Sequence, residues 1–179
     1  MKRLALSLGL ALSLVATAET PLEAAKAAFE RGDAAEAVRI YTALAADGNA
    51  KAQYNLAYCY QEGLGIAAER SKARTLLQQA AAQHLPEAEY HLGRITLYGT
   101  DGVITYEAPA MQSYNTPSPP VRRYAMALIN RAAAQAHLPA IEELASIYDQ
   151  GSGVPADSRR AVYWYHRAAA LGSTAAQNT

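Results

Sequence analysis

Two stretches decide how this chain folds. They are Ala52-Gln53-Tyr54-Asn55-Leu56-Ala57-Tyr58-Cys59-Tyr60-Gln61-Glu62-Gly63-Leu64-Gly65 and Ala140-Ile141-Glu142-Glu143-Leu144-Ala145-Ser146-Ile147-Tyr148-Asp149-Gln150-Gly151-Ser152-Gly153. Each sets an alanine four residues before a leucine, a glycine seven after it, and a second glycine two further on. Ala88, Leu92 and Gly99 repeat the frame between them. Leu56 to Leu92 spans 36 residues, and Leu92 to Leu144 spans 52, which is one unit plus an insertion of sixteen. Each unit has a second half in phase: Ala73, Leu76-Leu77 and Ala80-Ala81, then Ala125, Leu128-Ile129 and Ala132-Ala133, then Ala161, Trp164-Tyr165 and Ala168-Ala169. A fixed period of this length is the mark of a stacked repeat architecture.

The halves read as two antiparallel helices. Ala52, Leu56, Cys59, Tyr60 and Gly63 fall on one stripe at a 3.6-residue period. Gly63-Leu64-Gly65 and Gly151-Ser152-Gly153 terminate the first helices, because glycine accepts the left-handed conformation a helix end requires. The recurring alanines let helix axes approach closely. Second helices stop at His84, Ala136 and Gly172, and Pro86 and Pro139 follow near the start of the next first helix, where proline is tolerated. The fold class is therefore all-α.

Ala52-x3-Leu56-Ala57, Tyr60-x2-Gly63-Leu64-Gly65-Ile66 and Lys72-Ala73 resemble the Sel-one-like repeat, a 36-residue relative of the tetratricopeptide repeat. So do Gly151-x-Gly153-Val154, Asp157, Arg160-Ala161, Trp164-Tyr165 and Ala168-Ala169-x2-Gly172. Upstream, Ala25-x3-Phe29-x2-Gly32-Asp33-x3-Ala37-x3-Tyr41 resembles a tetratricopeptide-type hairpin with a shorter turn. The resemblance implies a right-handed α-solenoid of antiparallel helix pairs whose concave face binds peptides or proteins, commonly as a scaffold in the bacterial envelope. Cysteine-rich members are associated with β-lactams, but those carry a cysteine pair in each repeat, and this chain has Cys59 alone. The expected organisation is a signal peptide at 1–18, a helical hairpin at 19–48, repeats at 49–84, 85–137 and 138–172, and a truncated tail at 173–179. The second repeat contains a proline-rich insertion at about 103–120.

Composition narrows the partners. Sixteen basic residues balance sixteen acidic ones, so no basic stripe exists, which argues against nucleic acid, and no nucleic-acid partner is expected. Lys2-Arg3, the apolar run Leu4 to Val15, and Ala16-Thr17-Ala18 read as a secretory leader cleaved after Ala18, too short for a stable membrane anchor. Its removal leaves 14 basic against 16 acidic residues, a net −2, on a periplasmic or secreted chain. One cysteine makes no intramolecular disulfide, and Cys59 on an apolar stripe reads as a buried, inert thiol.

Catalytic signals are absent from the sequence. His84, His91, His137 and His166 show no helical zinc spacing, and His84 and His137 at unit junctions suit helix C-terminal capping better. No Ser nucleophile elbow, phosphate loop or activated Cys occurs, so no metal, cofactor or enzymatic activity is expected. The rival reading is an envelope hydrolase acting on β-lactams or peptidoglycan; a third is a permanent structural subunit of an envelope complex.

Three surfaces are candidates for a protein or peptide partner. Solenoids bind on the face that the repeat leaves variable. Here that face holds Asn55, Tyr58 and Glu62, then His91, Arg94 and Tyr98, then Glu143, Ser146 and Gln150, which form either a peptide groove or an ordinary solvated face. The insertion, with Tyr106 and Tyr114 among its prolines, is either a docking flap or a tolerated loop. At the C-terminal end, Tyr163, Trp164, Ala168 and Leu171 lack a complete following helix, which points to self-association or partner docking through Tyr163 and Leu171. Trp164 and Tyr165 align with core positions of the other units and are assigned to the core.

Overall fold

The computed structural model describes residues 20–98, 118–152, 154–174 and 176. Among them run eight helices and no strand: α1 (Pro21–Glu30), α2 (Ala34–Ala46), α3 (Ala50–Glu62), α4 (Arg70–Ala82), α5 (Pro86–Tyr98), α6 (Pro119–Ala134), α7 (Leu138–Gln150) and α8 (Ser158–Ala170). The substantial helix–helix packing joins each helix to its neighbours in sequence, α1 to α2 through α7 to α8. That pattern defines a solenoid, in which each element is buried only by the elements beside it.

Local chemistry starts and stops the helices. Thr20 and Glu23 form a reciprocal capping box at α1, and the Asp33, Asn49 and Asp157 carboxylate or amide oxygens accept from first-turn N–H groups of α2, α3 and α8. The turns after α3 and α7 are alike: Gly63 and Gly151 both sit at φ 70°, and Leu64 N–H donates to Cys59 O as Ser152 N–H donates to Ile147 O. Both turns close with a 2.8 Å backbone bond, from Glu69 to Tyr60 and from Asp157 to Tyr148. Gly65, also at φ 70°, has a second reason to be glycine: a Cβ there would stand 2.4 Å from the Ala34 carbonyl. The loop after α3 therefore seats directly on the start of α2.

The core lies in three successive clusters along the stack. Alanines 25, 37, 52, 80, 88, 125, 132, 133, 140, 145 and 168 are completely buried at helix crossings. Leu77, Leu128, Ile129, Ile141, Leu144 and Ile147 supply the bulk between them, each contributing roughly 1.5–3 kcal/mol by burial. At Gly93 even a methyl does not fit, since a Cβ would lie 2.7 Å from Ile129 Cγ1. Cys59 is buried in the α1–α3 core, and burial raises its thiol pKa, so the thiolate is disfavoured.

Four expectations need adjustment. Pro119 and Pro120, the last prolines of the expected insertion, form the first turn of α6, where a missing N–H costs nothing. His137 closes α6 through its backbone, its N–H donating to Ala132 O at 3.2 Å, while its ring turns away before α7 to pack against Tyr90; His84 instead takes the left-handed position after α4, at φ 61°. Ala168 is not left open: Ser173 and Ala176 fold over it, Ser173 Oγ accepting from Ala176 N–H as Asn49 does from Ala52. Trp164 and Tyr165 are half-buried against the core rather than enclosed by it. The leader at 1–18 and the insertion tyrosines Tyr106 and Tyr114 lie outside the described residues. Among the described residues, no helix is long and apolar enough to cross a membrane.

Candidate binding face on the first helices

The helices α3, α5 and α7 bring side chains from equivalent turns side by side. Nearest the helix starts, Lys51 and Glu87 form an ion pair between residues 36 apart. Burial favours the protonated Glu87, but the hydrogen bond from Lys51, backbone N–H donation and the charges of Lys51 and His137 hold its pKa below the ordinary value. One turn on, the rings of Tyr54 and His91 pack at 5.8 Å and those of Tyr90 and His137 at 5.2 Å. Burial, then the positive charge of Arg94, keeps His91 neutral by lowering its pKa; burial also lowers that of His137.

The C-terminal half of the face centres on Glu143. Tyr98 donates its hydroxyl to Glu143 Oε1 at 2.5 Å, Tyr90 donates to Oε2 at 3.5 Å, and Arg94 Nε lies 3.7 Å from Oε2. Arg94 also covers the Tyr90 ring at 5.7 Å. Burial and the bond to Glu143 push the Tyr98 phenol well above its usual range, so it stays a donor. The result is a ridge of aromatic and charged groups joined across three helices, which can stack on rings and trade hydrogen bonds with an extended backbone.

The nine residues expected on this face separate into three groups. His91, Arg94, Tyr98 and Glu143 meet in the ridge. Asn55 and Tyr58 line a cavity of about 210 Å3 with Phe29, Tyr41, Tyr54 and Cys59, between α1, α2 and α3. Glu62, Ser146 and Gln150 fall outside both; Glu62 accepts from Gln61 at 2.9 Å and Gln150 from Ser152 at 3.4 Å. Lys51, Tyr54, Glu87, Tyr90 and His137 were missed by sequence reasoning. Their signal was present one turn earlier in the same frame, where Lys51 and Glu87 carry opposite charge at equivalent positions and Tyr54 recurs as Tyr90.

At the far end Tyr163 is 56% and Leu171 46% exposed, with Val162 beside them. Tyr163 meets Trp164 edge to face at 5.0 Å, and Arg167 covers Trp164. Among the described residues no group of three or more His, Cys, Asp and Glu is placed to hold a metal ion.

Comparison with known proteins identifies the repeat. The Sel1 repeat family model matches residues 50–85, 86–105 and 138–173. The chain is similar to the chitin synthase regulator SKT5 of Saccharomyces cerevisiae, 28% identical over 83% of this chain and 26% of that protein. It is also similar to chitin synthase regulatory factor 3 of Schizosaccharomyces pombe, 25% identical over 78% of this chain and 18% of that one. The chain thus spans about a quarter or less of the length of these curated relatives. Among solved structures, a Sel1 repeat protein from Oxalobacter formigenes superposes with a TM-score of 0.71 at 26% identity, covering 89% of this chain and 61% of that one. A protective antigen of uropathogenic Escherichia coli strains displaying an SLR fold superposes at 0.68 and 24% identity, over 88% of this chain and 31% of the other, a likeness of fold.

Proposed function

We propose that this chain, which belongs to the Sel1 repeat family, is an exported, non-enzymatic scaffold of the bacterial cell envelope that holds a peptide or protein partner along the inner face of α3, α5 and α7. The observation that carries the reading is the unbroken ridge of Lys51–Glu87, Tyr54–His91, Tyr90–His137 and Arg94–Tyr98–Glu143 contacts crossing three repeats. A solvated helix face gains little from linking side chains of successive repeats; a face that meets a ligand gains by having them held in place beforehand. Export is supported by Lys2-Arg3, the apolar run and Ala16-Thr17-Ala18, and puts the mature chain in the periplasm or outside the cell. Both curated relatives are named as regulators, which agrees with an adaptor that acts on another protein. Tyr106 and Tyr114 of the insertion, and Tyr163 and Leu171 at the C-terminal end, are secondary contact surfaces in this reading, the latter for self-association.

Cross-linking in intact envelopes, pull-down and mass spectrometry identify the partner. The Arg94→Ala, Tyr98→Phe double variant then loses capture while its thermal unfolding stays near that of the parent. Undiminished capture by that variant, or turnover of nitrocefin or peptidoglycan by the purified parent, overturns the reading.

A further inference from the structure

The cavity at the N-terminal end of the inner face has a character of its own. Four of its six wall residues are aromatic, Phe29, Tyr41, Tyr54 and Tyr58, and none is basic. The face of an aromatic ring is the negative pole of its quadrupole, so several rings around one space favour a cation. Phe29 lies in the last turn of α1, and Tyr58 and Cys59 lie close to the end of α3. Carbonyl ends of helices carry partial negative charge, which basic residues usually offset. Neither of these two last turns contains one. They carry Glu30 and Glu62 instead: Glu30 acts on the Tyr41 phenol, and Glu62 on His91, whose ring packs on Tyr54.

Of the neighbouring cations, Arg31 stands exposed at the C-cap of α1, and two others are engaged elsewhere. Lys26 pairs with Glu30 at 3.6 Å on the exposed side of α1, and Arg94 is taken up by Tyr90 and Glu143. Asn55 supplies the amide of this wall, a group whose oxygen accepts hydrogen bonds.

We propose that this pocket is an arginine subsite, receiving the guanidinium of one arginine side chain of the partner against Tyr54, Tyr58 and Phe29, with Asn55 accepting from it. The guanidinium is planar, weakly hydrated and stacks on aromatic faces, whereas a lysine ammonium gives up more hydration on entering. This subsite rests on the inner face being the binding face, and it adds a requirement that the partner segment be basic at this point.

The test uses the full mature chain and two small probes, N-acetyl-arginine methylamide and its uncharged isostere N-acetyl-citrulline methylamide, titrated by NMR. Saturable shifts are expected at the Asn55 side-chain amide and the Tyr54 and Tyr58 rings with the arginine probe, and at least about tenfold weaker binding of citrulline. Tyr58→Leu, at a site 43% exposed and therefore tolerant, lowers arginine affinity about tenfold without changing the melting temperature, and Tyr58→Phe retains it. Equal binding of the two probes, no saturable shift with arginine, or no effect of Tyr58→Leu overturns the subsite. Such a failure with partner capture still sensitive to Arg94 and Tyr98 leaves the scaffold reading standing. Arginine binding with capture insensitive to those residues overturns the scaffold reading and leaves the subsite.

Discussion

Where first and second helices cross, α3 and α4 bring Gln53 and Gln83 together, the Gln83 amide donating to Gln53 Oε1 at 2.9 Å. In α5 and α6 the same two positions are Glu89 and Gln135, bonded at 3.1 Å, while in α7 and α8 they are Ile141 and Leu171. One site in one fold is thus amide, carboxylate or hydrocarbon. The repeat frame fixes the crossing, and the crossing accepts either chemistry as long as no buried polar atom is left alone. The middle repeat goes further than its neighbours. Glu89 is completely buried, and its carboxylate also accepts from Arg131 Nε at 2.9 Å and contacts His84 Nδ1 at 3.3 Å. His84 belongs to the preceding unit, so this one carboxylate ties two repeats together.

Removing Arg131 breaks that arrangement most severely. Arg131→Ala strands a buried carboxylate with only Gln135 and His84, and costs about 2–3 kcal/mol, at the low end for a buried pair because Arg131 is half-exposed. The companion experiment installs the third repeat's pair in the second, Glu89→Ile with Gln135→Leu, and adds Arg131→Met to remove the cation that Glu89 held, although the third repeat keeps Arg167 at that position. The three together stay within about 1 kcal/mol of the parent or exceed it. Denaturant unfolding of both variants measures the comparison; a triple variant as unstable as Arg131→Ala would mean that the carboxylate is required by the crossing itself.

The spacing of the helices provides a second contrast. Gly93 stands where the other repeats have Ala57 and Ala145, and a methyl on it would lie 2.7 Å from Ile129 Cγ1 and 3.1 Å from Ala125 O. Overpacking outweighs the helix preference of alanine, so Gly93→Ala destabilises by about 1–2 kcal/mol, again read by denaturant unfolding.

Smaller effects come from the left-handed residue that follows each second helix. Ala136 is held there at φ 60° and Gly172 at φ 90°, and a Cβ on Gly172 would meet nothing within 4 Å. Backbone conformation alone therefore separates them. Ala136→Gly raises stability by about 1 kcal/mol and Gly172→Ala lowers it by a similar amount, which thermal melts will register.

The smallest effect is a pH slope. Burial, and then Arg94, lowers the pKa of His91 in the folded chain below the ordinary histidine value of about 6.5. The unfolded chain then binds the proton more readily, so this contribution is fully present above about pH 6.5 and is lost as the pH falls through the lowered value. His91→Gln flattens the slope of melting temperature against pH over that interval.

Much of the face was legible at the level of frame and much less at the level of side chain. The glycine, leucine and alanine spacing located α3, α5 and α7, and phase alone put Arg94, Tyr98 and Glu143 on one side. What phase could not show is which residue reaches which. Arg94, Tyr98 and Tyr90 all converge on Glu143 of the next repeat, while Asn55 and Tyr58 turn to Phe29 and Tyr41 in the preceding hairpin. Glu89 gave no signal as a buried acid either, since its role depends on Arg131 and Gln135, more than forty residues away.

The sequence by itself determined the secondary structure, the pairing of helices and their order. These follow from interactions within about ten residues, namely apolar period, cap residues and glycines at positive φ, together with a repeat that must stack on its neighbours. Only the tertiary structure decided the chemistry between repeats. A long side chain such as Arg94 or Glu143 reaches past its own helix, and its partner is set by the distance and rotation between repeats. That geometry is fixed by the volumes of buried alanines, Gly93 and Ile129 packed against one another, a property of the assembled core that no single helix contains.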